Sequence, residues 1–589
     1  MSVVDSAEST TPLTDTPGSR GRRLVALTAI SGLLAACGGG GGSEDASTGT
    51  GSGTGGGSGS TPAPPPAPGS PGAGEEPVYE QDGPVTEKRA SRFLGQASLG
   101  ATEAEIAKVV EIGFEAWLDE QMGVGGNGSR YDWMVEQGYL YNGSIFTLLG
   151  SDQSLWFKLF TSPDTLRQRI ALALSEIFVI NGSGITGAGD FRNFGVAAYM
   201  DLLETYAFGN YRTLLEEVTL SHQMGAFLSM RGSRKAESTG QAPDENYARE
   251  ILQLFSIGLY KLNLDGTYEL DGNGQPIETY SNDDIVGLAR AFTGWDADTS
   301  VQVPERWRAR MVLDPANHEP REKSFLGLTI PAGTDGETSM RLALDWISQH
   351  QNVAPFIARQ LIQRLVTSNP SSYYVRRVAE AFNDNGDGIR GDLGAVVKAV
   401  LLDPEARLTV LSNSIVGKVR EPMLRFVHWA RSFNASGNGR QCDVSDMSSP
   451  SVSLGQSPLR SDSVFNFFRP GFTPPNTELG NAGYSAPELQ IASEVSVIGY
   501  ANFMTNVIRS GMQGVRSDYV QELALVNDPS ALLDRLDLLL TAGQLTDQTR
   551  SMVLTTISAL PVETDEDRRV RVNAAILLVM ISSDYLVQK

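Results

Sequence analysis

The 589-residue chain is short of the groups that most often carry crosslinks or metal chemistry: it has two cysteines and four histidines. With Cys37 and Cys442 as the whole thiol inventory, no disulfide framework can be built. His222, His318, His350 and His428 are too few for a histidine-rich metal centre, and no His-Glu-x-x-His or Cys-x-x-Cys pairing occurs, so neither a metal nor a cofactor is expected. Positive charge is also short. Forty-seven Lys and Arg against 69 Asp and Glu leave a formal net charge of -22, whereas a nucleic acid or an anionic lipid surface would require a basic face. Nucleic acid is therefore not expected as a partner. Past Cys37, no apolar run approaches the roughly 20 residues that cross a bilayer. The common catalytic signatures are missing too. Gly417-Lys418 runs into Val419 rather than a phosphate loop, and the folded region has no Gly-x-Ser-x-Gly elbow. Gly182-Ser183-Gly184-Ile185-Thr186-Gly187 matches the dinucleotide fingerprint in letters only, since it follows a helix-periodic segment.

What is present begins at the N-terminus. Arg20, Arg22 and Arg23 lead into a short apolar run ending Leu34-Ala35-Ala36-Cys37, too short to span a bilayer and followed by small residues, which reads as an export signal. Its end resembles the lipobox of bacterial lipoproteins, which implies cleavage before Cys37 and fatty acylation (palmitate) of that cysteine. Arg22-Arg23 fits the twin-arginine pair, but the rest of that consensus is poor. Gly38 to Gly74 is almost wholly Gly, Ser, Thr, Pro and Ala; such a segment buries nothing and cannot offset its conformational entropy, so a disordered tether is expected. The division expected is a signal over 1–37, a tether over 38–85 and a folded domain over 86–589. The expected location is the cell envelope, with membrane contact through the N-terminal lipid alone. Gly38 rather than Asp after the cysteine suits the outer membrane, on its periplasmic or surface face, if the cell is Gram-negative.

From Thr86 the pattern turns helical. Apolar residues at three- and four-residue spacing predict a helix pair over 90–99 and 103–122 broken at Gly100, and a buried central helix over 167–180. Further helices are expected over 199–208, 342–349, 354–366, 375–382, 393–402, 421–433, 488–508 and 568–586. Strand signal is confined to 267–280, where Asp271-Gly272-Asn273-Gly274 is turn chemistry, and to 308–330. The fold class expected is mainly α: a large multi-helix domain with a small β-hairpin insertion. Ser281-Asn282-Asp283-Asp284 reads as a capping box whose helix ends at Gly294, and Pro243 to Gly258 reads as a helix with Pro at its start and Gly at its end.

The polar side of that last helix carries Glu245, Asn246, Arg249, Glu250 and Gln253, with Glu245/Arg249 and Asn246/Glu250 four apart and able to meet. This is either a weak surface ion pair or a polar network in a cleft, where Glu245 or Glu250 could serve in acid/base work. His318 lies in a turn rich in ionisable groups, open to catalysis or to a structural hydrogen bond. Asn383-Asp384-Asn385-Gly386-Asp387-Gly388 looks like half a calcium loop, but the twelfth position is Gly394 where a bidentate Glu is needed, so a polar turn between helices is expected. Cys442 sits in a polar stretch and reads as a bystander.

Several blocks together resemble one bacterial family, catalogued as domain of unknown function 1800. They are Ala90 to Gly100, Arg167-Gln168-Arg169 with Ala173 to Phe178, Glu245 to Phe255, Ala289 to Trp295, His318 to Gly327, Ser463 to Phe468 with Pro487-Glu488, and Ser582 to Gln588. The resemblance runs from about residue 86 to the end and implies an exported bacterial protein; it carries no reaction. Where members often have a Pro before the final aromatic, this chain has Asp584, read as the surface end of a helix. On these blocks Glu245, Asn246, Arg249, Glu250, Trp295, His318 and Lys323 are expected to converge on one cleft. Two functions follow. One is a tethered binding or assembly factor for an exported protein or surface polysaccharide, which the tether and the missing enzyme motifs favour. The other is a glycan hydrolase or lyase with Glu245, Glu250 and His318 as catalytic groups, Asn246, Arg249 and Lys323 binding, and Trp295 as a sugar platform.

Overall fold

Side-chain oxygens set where the helices begin. Thr86 accepts from Arg89 N ahead of Glu87–Ala97, Thr102 from Glu105 N ahead of Glu103–Ile112, and Ser371 from Tyr374 N ahead of Ser372–Asn383, each satisfying an amide that the first turn leaves open. The computed structural model describes residues 76–140, 147–185, 191–408, 416–435 and 442–589; the signal with Cys37 and the Gly/Ser/Pro-rich segment to residue 75 lie outside them. Within them the architecture is mainly helical, and named strands form three two-stranded antiparallel pairs. None of the described helices is long and apolar enough to cross a membrane.

The centre is the Thr165–Ser175 helix, buried at nearly every position and packed against Arg192–Thr205 and Val353–Leu365. Val353–Leu365, Ser372–Asn383 and Leu393–Leu402 stack in succession behind it. A cluster of Trp156, Phe160, Phe426, Trp429 and Phe503 joins this body to the C-terminal helices, with ring centroids 5.2–6.0 Å apart. The chain's last residues close onto its middle, since Lys418–Val419 pairs with Val587–Gln588.

Several helices are shorter than periodicity alone predicts, for local reasons. The 103–122 stretch is two helices, Glu103–Ile112 and Phe114–Gly123, because Gly113 takes φ +83° between them. The 488–508 stretch starts as a 3-10 turn, Pro487–Ile491, and becomes α-helical only at Glu494–Ser510, behind a capping box of Ser493 and Ser496. At the end of the chain, Ser582 caps a separate Ser583–Leu586 turn after Asp565–Met580. The 167–180 stretch is helical only to Ser175.

The β insertion is sparser than a hairpin over 267–280. Tyr260, Leu262 and Leu270 make isolated bridges to Glu278, Tyr268 and Pro276, around a turn in which Asp271 Oδ1 accepts from Asn273 N (2.8 Å) and Gln275 N (2.9 Å). The true hairpin is Lys323–Phe325 with Leu328–Ile330. At 383–388, Asp384 Oδ1 and Asn385 Oδ1 accept from the backbone amides of 386–389, so this is a polar turn between helices. Within 76–85, the last part of the span expected as tether, Glu76 pairs with Arg377 at 2.9 Å and Val85 packs on the core.

Candidate functional site

The Ser281 capping box forms as expected, with Ser281 Oγ accepting from Asp284 N (3.3 Å) and Asp284 Oδ2 accepting from Ser281 N (2.7 Å). It launches Asn282–Ala291, which ends in a turn at Thr293-Gly294. Gly294 takes φ +91°, and a Cβ there would lie 2.9 Å from Asp314 O and 3.0 Å from His318 N. Only glycine lets the 314–318 segment come this close. Thr293 then ties the two segments together: its Oγ1 accepts from Glu319 N (2.9 Å), and its carbonyl accepts from His318 Nδ1 (2.9 Å).

That bond decides the tautomer, because a carbonyl can only accept. Nδ1 carries the proton, and Nε2 presents a lone pair that has no partner although it is buried. Burial pushes the His318 pKa down, the Thr293 bond opposes this, and the Lys323 charge adds to the fall. The next residue, Glu319, is fully buried and takes a bidentate contact from Arg321 (2.8 and 2.6 Å), which is the main reason it is held down at about 2.

Lys323 starts the inner strand of the hairpin. The alternation along Lys323–Phe325 turns Lys323 and Phe325 inward and Ser324 outward. The ammonium of Lys323 is fully buried and has no hydrogen-bond partner or ion pair among the described residues. Burial pushes its pKa down, against the charges of Glu319 and Asp335. Asp335 is occupied in capping Gly336–Gln349, accepting from Thr338 N at 2.8 Å. A Cβ on Gly336 would lie 3.1 Å from His318 Nδ1, so the head of that helix abuts the imidazole. Trp295, just past the Gly294 turn, is 5 % exposed with a bare Nε1, so its ring is covered rather than offered as an open platform.

The Pro243 helix is shorter and differently faced than its periodicity suggests. The α-helix is Asn246–Glu250 and continues as a π-helical turn, Ile251–Ser256; Pro243 lies outside it, and Glu245 is the N-cap. Glu250 lies three residues after Tyr247, so it shares the inward side and is buried, while Asn246 is exposed. Glu245 and Arg249 make a half-exposed pair at 3.5 Å. Burial raises the Glu250 pKa, with Arg249 opposing, and its Oε2 is bare. Its charge is felt by Tyr280, whose hydroxyl is bare as well. Glu245 and Glu250 are roughly 140° apart around the helix. The structure thus gathers His318 and Lys323 around the Thr293 turn, gives Glu250 the company of Tyr280, and leaves Glu245 with Arg249 at the surface.

A second polar centre, not picked out from the sequence, lies at the C-terminal end of Val353–Leu365. Arg364 O accepts from Arg169 NH2 (2.5 Å) and Lys418 Nζ (2.9 Å), and Leu365 O accepts from Gln588 Nε2 (2.7 Å). These donors satisfy carbonyls that a helix end leaves open, and two of them bring the positive charge that such an end favours. Lys418 also bridges Glu421 (3.3 Å) and Glu488 (3.0 Å), while Arg364 Nε stands 3.5 Å from Glu176. Arg169, Glu176, Glu421 and Glu488 are all buried. The signal for this centre was Arg169 and Glu176 within a stretch whose apolar residues fall on nearly all sides of a helix; a charge on an all-buried helix must meet another charge in the fold.

Neither curated proteins nor solved structures give a match to this chain. One family model covers residues 92–587, a span that contains the Thr293 turn, the hairpin and the buried Glu176 centre. On that coverage the chain belongs to the family described as protein of unknown function (DUF1800).

Proposed function

We propose that the protein is an exported, lipid-anchored binding or assembly factor of the cell envelope, held by Cys37 and engaging an exported protein or surface polymer at the His318–Lys323 face. The observation that carries the binding role is the Lys323 ammonium, enclosed without a partner beside the bare Nε2 of His318. An ammonium left desolvated and unpaired costs several kcal/mol. The two carboxylates that feel its charge are spent, Glu319 on Arg321 and Asp335 on a helix cap. Because Lys323 is fully buried, a partner reaches it only when the covering hairpin or the head of Gly336–Gln349 moves aside; one that then brings oxygen acceptors to Lys323 removes this cost, and one that also bears a hydroxyl can donate to His318 Nε2. Surface polysaccharides and the polar side chains of proteins both offer that pairing. The address rests on the lipobox-like Leu34 to Cys37 and the Gly/Ser/Pro-rich segment after it.

The test uses the full-length protein expressed in its own envelope. Labelling with a fatty-acid analogue marks the wild type and is lost in Cys37→Ala. Detergent-solubilised wild type retains a defined envelope protein or polysaccharide, and Lys323→Met, with its melting temperature kept, retains it at least tenfold less. Labelling that survives in Cys37→Ala overturns the anchor, and equal retention by Lys323→Met overturns the binding face.

A further inference from the structure

The Glu494–Ser510 helix has an apolar inner face, but its outer face lacks the charge that a helix of an acidic protein normally turns to water. Tyr500, Phe503, Met504, Val507 and Ile508 are buried, and the helix packs on Asp565–Met580. From Val495 to Ile508 it has no charged residue, in a chain of which 20 % is charged. Asp584, which follows Asp565–Met580 and is expected at the surface end of a helix, is instead 9 % exposed. Its Oδ2 accepts from Thr546 N and Thr546 Oγ1, each at 2.9 Å, so that charge is turned inward as well.

The outer face presents a seam. Val495, Ile498, Asn502, Thr505 and Arg509 are all exposed, and their spacing of three, four, three and four residues sets them in one stripe, the pattern by which helices pair with one another. Val495 and Ile498 are each 53 % exposed. A loop broadens this apolar end. A Cβ on Gly499 would meet Pro450 O and lie 3.2 Å from Ser451 C, so the backbone of 450–451 rests on the helix, in a contact that only glycine admits. Val452, the next residue, is 72 % exposed. Branched aliphatic side chains grouped in this way gain free energy when a second surface takes them out of water.

The charges at the two ends point to the partner. Glu494 opens the helix and Arg509 stands next to its last residue, and neither makes an ion pair or a side-chain hydrogen bond among the described residues. The helix has 17 residues and is about 25 Å long, and Asn502 lies at its middle. Two such helices laid antiparallel across a two-fold axis beside Asn502 set Glu494 of each copy against Arg509 of the other, and Ile498 of each against Thr505 of the other. The two Asn502 amides, each with a donor and an acceptor, then meet near the axis. A parallel pairing would set Glu494 against Glu494 and Arg509 against Arg509.

We infer that this face is the interface of a homodimer, in which Glu494–Ser510 pairs antiparallel with the same helix of a second copy. One pair of helices buries less surface than an obligate interface, so the association depends on concentration. It is independent of the Lys323 face and of any partner held there.

The test is sedimentation equilibrium of the full-length chain in density-matched detergent, over a concentration series. The protein mass rises from that of one copy to that of two. Ile498→Asp weakens the dimer at least tenfold. Glu494→Arg sets like charges together at both ends and weakens it several-fold, and adding Arg509→Glu to that variant restores the wild-type association, a recovery that misfolding cannot imitate. A monomer at every concentration overturns the inference, whether the face is left open or is covered by residues 38–75 of the same chain. A dimer that Ile498→Asp and Glu494→Arg leave unchanged overturns it too, and a double variant no tighter than Glu494→Arg overturns the antiparallel pairing.

Discussion

Glu176 and Glu421 face each other in the interior, where two carboxylates cannot both ionise cheaply. Burial pushes the Glu176 carboxyl well above the usual range and the Glu421 charge adds to this, while Glu421, although buried, is held down by Lys418, Glu176 and Arg169. A carboxyl raised in the folded state lends stability that is full below its unfolded value near 4.5 and is lost as pH rises toward its folded value. Glu176→Gln keeps the neutral form at every pH. Its melting temperature is therefore expected to fall less than that of the wild type between pH 5 and 8, and parallel profiles in a calorimetric series would refute the shared proton. Glu204 has the opposite sign. Although burial works against it, contacts with Arg130 and Lys158 hold it down at about 2, and its side chain is 13 % exposed. That depression is worth on the order of 3 kcal/mol at neutral pH, lost as pH falls from about 4.5 to 2. Glu204→Gln removes both the stability and the acid loss, as denaturant midpoints at pH 7 and pH 3 will show. At this scale the chain announced chemistry better than geometry. His318 and Lys323 were legible as an ionisable cluster on one turn, but the burial of Glu250 was not, since Asn246–Glu250 points it inward beside Tyr247. Arg169 and Glu176 were read as part of an apolar helix, because their partners Arg364, Lys418 and Glu421 lie about 190 to 250 residues away, a distance that periodicity does not see.

Helix starts and stops were legible where a side chain makes the cap and obscure where tertiary contacts do. The Ser281 box formed as written in the sequence, whereas the break at Gly113 and the π-helical turn Ile251–Ser256 interrupt patterns that read as continuous. The Asn282–Ala291 helix carries the Thr293 turn, so its stability is coupled to the site. Ser281→Ala leaves an amide of the first turn open and is expected to cost about 1 kcal/mol. Gly287→Ala is expected to cost considerably more, because a Cβ there would lie 1.8 Å from Ser324 O on the Lys323 strand, and backbone, not a flexible side chain, has to move. Thermal melts of the two variants order them; Gly287→Ala as the milder change would mean that the helix and hairpin are not in the contact described. The hairpin itself was found at its general position, but the bridges over 260–278 show that Gly/Asn turn chemistry can form without a regular ladder beside it.

At the scale of the whole molecule, the mainly helical class followed from the 3.6-residue periodicity that runs from Thr86 onward, and the low cysteine count matches a fold whose single described cysteine, Cys442, is a free buried thiol pushed up to about 12 by that burial. What periodicity does not convey is closure. Lys418–Val419 with Val587–Gln588, and Glu76 with Arg377, fasten both ends of the described region to its middle. Arg377→Met is expected to free residues 76–85, seen as faster amide exchange confined to that segment; unchanged exchange there would mean that the Glu76–Arg377 ion pair is not what holds it. The central claim is that the Lys323–His318 face recognises an envelope partner with oxygen acceptors. The measurement that tests it most directly is the amount of partner co-purifying with full-length wild type and with Lys323→Met from the same solubilised envelope, both checked for equal melting temperature. The account predicts at least a tenfold loss in the variant; equal recovery contradicts it.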